Sequence, residues 1–283
     1  MWSITANMLE ERSDVAENSG GPAGPRLAYA NLNVRDALSV WRRHFEVYLR
    51  LWRMELAAPL IEPVFMVLAF GWGVGALVAS KAEGMSYLSF VGAGVLSFTT
   101  ITRALFESAY GAYFRMVYQS TFDAILATPV EAESLAFAEI VWATTKSLID
   151  SLIILLVLWA FGAATSPFAL FAPFALVLGG FFISALTLSF TARIHDIDSF
   201  NLYLSLYFSA IFLCGVWFPV DVMPAWLQWL AWAIPLTSAV DLARSFLVGA
   251  FKWRNLYEAA YLLAACAFCA EWAMRSLRRR MLA

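Results

Sequence analysis

The chain holds several unbroken apolar blocks of about 20 residues, and a helix of that length crosses roughly 30 Å of hydrocarbon. Blocks of this kind fall at about 57–79, 87–112, 135–161, 168–191, 199–217 and 256–274. Residues AVILMFWYC make up 61% of the sequence and charged residues 14%, whereas a soluble domain averages about 45–50% and about 25%. One soluble core cannot bury that much apolar surface, so the blocks predict a polytopic helical membrane protein.

What lies between the blocks gives the organisation. Residues 1–32 are polar and contain Gly and Pro without an apolar core stretch, which predicts a disordered cytoplasmic tail and no signal peptide. Residues 33–54 interleave Arg35, Arg42, Arg43, Arg50 and Arg53 with Trp41, Phe45, Tyr48, Leu49 and Trp52. This pattern predicts an amphipathic helix lying in the membrane interface. A nucleic-acid role for its arginines is set aside, because apolar spans follow at once. Lys81 and Glu83 mark a short loop, "GAATSP" an uncharged hairpin, and "ARIHDIDS" the end of the fourth span. With six spans, Arg115, Arg193, Arg275, Arg278, Arg279 and Arg280 fall on the side of the basic helix, so the positive-inside rule places both termini in the cytoplasm. Residues 218–249 are apolar enough for a seventh span, but Pro224 and Pro235 divide them, and a seventh crossing would export the arginine-rich tail. They are read as two short helices dipping into the outer leaflet, with Trp217, Trp226, Trp229 and Trp232 at headgroup depth. Arg244, Lys252 and Arg254 then become external, against the rule.

Chemistry is sparse. No G-x-x-x-x-G-K-[ST] occurs, and Lys81, Lys146 and Lys252 do not follow a glycine, so no phosphate-cradling loop is built here. H-E-x-x-H and G-x-S-x-G are missing, the histidines are His44 and His195, and no catalytic residue or metal site is assigned. Cys266 and Cys269 form a C-x-x-C inside an apolar run with no second ligand pair. Intramembrane charge is costly and marks functional suspects. Glu62 sits between Pro59 and Pro63, Arg103 and Glu107 are i,i+4, and Lys146 and Asp150 repeat that spacing with Glu139 two turns away. These pairs either neutralise themselves and lock helix packing, or line a polar route for a substrate headgroup.

Residues 118–130 interrupt the apolar pattern. Ser120-x-x-Asp123 resembles a capping box, and Phe122, Ile125 and Leu126 form an apolar stripe at i, i+3, i+4. Thr128, Pro129 and Glu131 predict N-cap, N1 and N3 of the next helix. The short helix so defined is either a docking knob or an amphipathic loop helix resting on lipid.

These features together resemble the permease subunit of type-2 ABC transporters. "VWRRHF", "STFDAILATPVE", "FPVDVMPAWLQWLAWAIPL", "AVDLARSFLVG" and the Arg-rich tail carry the resemblance over about residues 35–283. Within the family, "EPVFMVLAFGWGVG", "ALFESAYGAYFRM" and "VWATTKS" are similar to the nodulation-factor exporter permeases of the NodJ type. "YQSTFDAIL" stands where the family more often has "ERGTLE", which changes the local charge there. The resemblance implies an all-α membrane domain over 33–283 with six transmembrane helices. It also implies a coupling helix at 118–130 between spans two and three, and an external re-entrant hairpin at 218–249 before span six. It implies a homodimer in the bacterial inner membrane, served by a separate ABC ATPase that holds ATP and magnesium; this chain needs no cofactor. Thr121, Phe122, Asp123, Ile125, Leu126, Thr128 and Pro129 then contact the ATPase. Glu62, Arg103, Glu107, Lys146 and Asp150 line the path of an amphiphilic substrate, lipooligosaccharide-like or drug-like, amid membrane lipids. Phe218, Pro219, Pro224, Trp226 and Pro235 form an external gate. The alternative of another class is an ion-coupled secondary transporter that needs no ATPase.

Overall fold

A computed structural model describes residues 27–75, 86–194 and 196–282. The Lys81–Glu83 loop, His195 and most of the expected tail lie outside the described residues. The part of that tail that is described is ordered: Ala28–Asn31 forms a 3-10 turn. It is held because the Ala28 and Tyr29 amides donate to Glu271 at 2.7 and 3.2 Å, and Asn31 donates to Glu133 at 3.0 Å.

Among the described residues every regular element is helical. α1 (Val34–Met66) begins at Asn33, whose side chain accepts from the Arg35 amide. It continues directly into a π-helical stretch, Val67–Val74. The expected break between an interfacial helix at 33–54 and a span from 57 is therefore absent, and one helix of 33 residues carries both. Met54, Glu55, Leu56, Ala57 and Ala58 are all good helix formers, so nothing in that stretch stops the helix. α2 (Tyr87–Phe106) is capped by Ser86 and extends through two wider π turns, Glu107–Gly111 and Phe114–Tyr118. α3 (Thr121–Leu126) is the short helix, and α4 (Ala132–Ala160) returns along the bundle. A 3-10 turn, Pro167–Phe171, leads into α5 (Ala172–Thr191), and α6 (Phe200–Leu213) follows. The stretch 218–249 folds as two short helices, α7 (Ala225–Ala233) and α8 (Pro235–Val248), divided at Pro235. α9 (Arg254–Leu282) is the last helix.

α5 is the centre of the bundle, packed by α9, α4, α8 and α2, while α1 lies along α4. Close approach is set by small residues. A Cβ on Gly94 of α2 would stand 2.0 Å from the Val216 carbonyl oxygen, so the turn after α6 rests directly on the α2 backbone. Among the described residues three helical stretches are long and apolar enough to cross a membrane: Tyr87–Tyr118, Ala132–Ala160 and Pro167–Thr191. Ile61–Gly71 and Ile197–Leu213 are apolar but shorter. α9 has 29 residues, with Arg254 and Glu258 near its start and Glu271, Arg275 and Arg278–Arg280 toward its end.

Candidate functional site

The chain enters α3 through Ser120 at φ 46°, ψ 29°, a left-handed conformation unusual for a residue with a side chain. In that conformation the Ser120 side chain makes no cap, so the expected capping box with Asp123 does not form. A helix of six residues has too few internal hydrogen bonds to persist alone and must be held by packing. Phe122 supplies that hold. Its side chain is 0% exposed and belongs to the protein's own core, which corrects the expectation that it projects outward as a docking contact. Thr121 is buried, Ile125 and Leu126 are half-buried, and Asp123, Ala124, Ala127, Thr128 and Pro129 face outward. The next helix also starts later than Thr128 and Pro129 predict. Thr128 Oγ1 donates back to the Ile125 carbonyl at 2.5 Å, Glu131 occupies the N-cap position, and α4 begins at Ala132.

Behind α3, between α1, α2 and α4, runs a continuous chain of polar and ionic contacts. His44 Nε2 lies 3.0 Å from Glu139 Oε1, and Glu139 Oε2 is 2.6 Å from Arg115 Nη2. Arg115 Nη1 reaches Glu107 Oε1 at 2.8 Å, where the Trp142 indole N–H also donates at 3.1 Å. Glu107 Oε2 and Glu55 Oε2 each lie 2.9 Å from Lys146 Nζ. Glu55 also pairs with Arg103, whose Nε is 2.9 Å from Asp150 Oδ2. Both i,i+4 pairs expected from spacing, Arg103–Glu107 and Lys146–Asp150, give way to these cross-helix contacts. Their shared faces point between helices, where each group meets an opposite charge from another element. Removing buried charges from water costs more than a single contact returns; here Glu107 and Glu139 each meet two partners in this chain of contacts, and Glu107 takes the indole as well.

The far end of this network opens on a cavity of about 320 Å³. Glu62, Arg103 and Asp150 form its charged wall, Thr99 and Thr102 its hydroxyl groups, and Phe98, Phe106 and Phe208 its apolar side. Of the five residues expected along a polar route, these three share the cavity, while Glu107 and Lys146 sit deeper in the network. Glu55, His44 and Arg115 were not singled out from sequence as partners. A signal for two of them exists: 44, 48 and 55 repeat at helical spacing on the inward face of α1.

At the opposite end of the bundle the hairpin residues separate. Phe218, Pro224 and Trp226 are exposed, and Pro219 and Pro235 are half-buried at the turns that begin Val220–Val222 and α8. Arg244, expected on the external side, is buried. It donates to the Gly215 carbonyl at 2.6 Å and stands 4.1 Å from the centre of the Phe90 ring. Arg254 bridges Asp241 and Glu258 at 2.9 and 2.8 Å and covers Trp232, so that indole is not free at the surface.

Residues 36–248 match the family described as ABC-2 type transporter. The chain belongs to that family. This ABC-2 type chain is 32% identical over 213 residues to Nodulation protein J of Bradyrhizobium diazoefficiens, covering 75% of this chain and 81% of that protein. It is equally similar, at 32% over the same shares, to Nodulation protein J of Rhizobium leguminosarum bv. trifolii. A shorter match, 25% over 92 residues, covers 32% of the chain and 35% of the inner membrane transport permease YadH of Escherichia coli. The ABC-2 membership and the apolar helices make it a multi-pass membrane protein and a transport subunit.

Proposed function

We propose that the chain is the membrane-spanning permease of an ATP-driven exporter in the bacterial inner membrane, acting as a homodimer. Six crossings are made by the C-terminal part of α1 with Val67–Val74, then α2, α4, α5, α6 and α9, leaving both termini cytoplasmic. A separate ABC ATPase binds ATP and magnesium and docks on α3. The observation that carries this reading is α3 itself: an amphipathic helix of two turns, anchored by Phe122, with Asp123, Ala124 and Ala127 presented outward at one end of the bundle. Arg115, six residues before α3, is a member of the chain of contacts that ends at the cavity with Arg103 and Asp150. Movement of α3 with the ATPase is thereby passed to the cavity as a shift between two packed arrangements, which is what coupling requires. The substrate is an amphiphile, lipooligosaccharide-like or drug-like, whose polar head uses the cavity and whose chain stays near lipid. The hairpin around Phe218, Pro219, Pro224, Trp226 and Pro235 gates the exit.

The test uses the exposed face, because Phe122 is structural. Asp123→Arg with Ala127→Trp is expected to reduce co-purification of the ATPase at least tenfold, with the permease still inserted and its thermal stability unchanged. Undiminished co-purification defeats the docking assignment, and export that continues without ATP favours an ion-coupled carrier.

A further inference from the structure

The charged wall of the cavity is unbalanced. Arg103 is its cation, and that guanidinium is already engaged by Glu55 and by Asp150 Oδ2. Asp150 Oδ1 has no hydrogen-bond partner, although the residue is buried. Glu62 lies in the apolar stretch Ile61–Gly71, exposed on the cavity wall, and makes no ion pair among the described residues. Thr99 gives its hydroxyl hydrogen to the Val95 carbonyl at 2.7 Å, leaving its oxygen to accept. Glu62 and Asp150 thus outnumber the one guanidinium facing the cavity, beside the aromatic surface of Phe98, Phe106 and Phe208. An unpaired carboxylate at membrane depth is expensive and is relieved by a cation arriving with its own apolar body.

We infer that this cavity selects amphiphiles with a positively charged, hydrogen-bond-donating headgroup, a primary ammonium being the simplest, and disfavours anionic ones. Glu62 receives the ammonium, Thr99 accepts a further N–H, and the alkyl or aromatic portion lies on the three phenylalanines, whose ring faces also attract cations. This rests on the reading of the cavity as part of the substrate path.

The experiment is equilibrium binding of dodecylammonium, dodecyltrimethylammonium and dodecanoate, below their micelle concentrations, to the permease–ATPase complex in nanodiscs of neutral lipid. Dodecylammonium is expected to bind at least tenfold more tightly than dodecanoate, with the trimethyl compound, a cation without donors, between them. Glu62→Gln should cut dodecylammonium binding at least tenfold without changing thermal stability, since Glu62 holds no structural partner, and Glu62→Asp should restore part of it. Equal or tighter binding of dodecanoate, or indifference to Glu62→Gln, overturns the inference. Thr99→Trp, which fills the cavity, separates the two failures. If it blocks ATP-driven export while the ammonium preference is missing, the cavity belongs to the path but not with this selectivity. Export and binding that both survive the filled cavity overturn the path and the selectivity together.

Discussion

At Glu107 a lysine, an arginine and an indole converge on one carboxylate that is only 10% exposed in its side chain. Neutralising such a group leaves its partners buried with a weaker acceptor, and breaking a buried pair costs about 3–5 kcal/mol. Glu107→Gln should therefore lower the temperature at which the purified permease loses monodispersity, whereas Glu62→Gln should leave it unchanged; equal behaviour of the two would contradict the network. The sequence exposed these residues as suspects, because charge stands out in an apolar block. It did not disclose their partners. The i,i+4 spacing of Arg103 and Glu107 fixes a shared helix face, but which neighbour that face meets depends on how α1, α2 and α4 pack. Glu55 and His44 were hidden for a related reason: on a helix crowded with arginines they read as surface residues.

Among the elements, α3 was legible as a short helix between two long ones, since its turn residues and apolar stripe are local signals. The direction of the stripe was not, because a helix that is amphipathic by sequence points its apolar side wherever a core accepts it. Phe122→Ala is expected to cost about 3–5 kcal/mol, the range for deleting a buried aromatic side chain. It should loosen α3, seen as faster amide exchange over Thr121–Leu126, before any ATPase is added; unchanged exchange there would show that Phe122 is not the anchor. The boundaries shifted for physical reasons as well. Ser120 in the left-handed region turns the chain without its side-chain cap, and Thr128 bonds backward to Ile125, so α4 starts at Ala132. The merging of the basic foot with the following apolar helix into α1 was invisible because a change in composition is not a change in backbone conformation.

For the whole molecule, the sequence conveyed an all-helical membrane protein of the ABC-2 family, and the pairing of α7 with α8 followed from Pro224 and Pro235. The apparent excess of external positive charge was reduced by packing that no linear reading contains, with Arg244 buried against Phe90 and Gly215 and Arg254 tied to Asp241 and Glu258. In a background with Cys214, Cys266 and Cys269 replaced, single cysteines at Asp123 and Trp226 should react with a membrane-impermeant maleimide from opposite faces of the membrane. Reaction of both from one face would refute the six-span arrangement. The segment Ala28–Asn31 reaches its receptor Glu271 across 243 positions of the chain, and Glu133, which holds Asn31, is also met by Arg278. A ribosome delivers that segment 243 positions before its receptor. The turn at Ala28–Asn31 therefore cannot complete its contacts until the helix carrying Glu271 has been made, so its docking is a late event in assembly although its residues are made first.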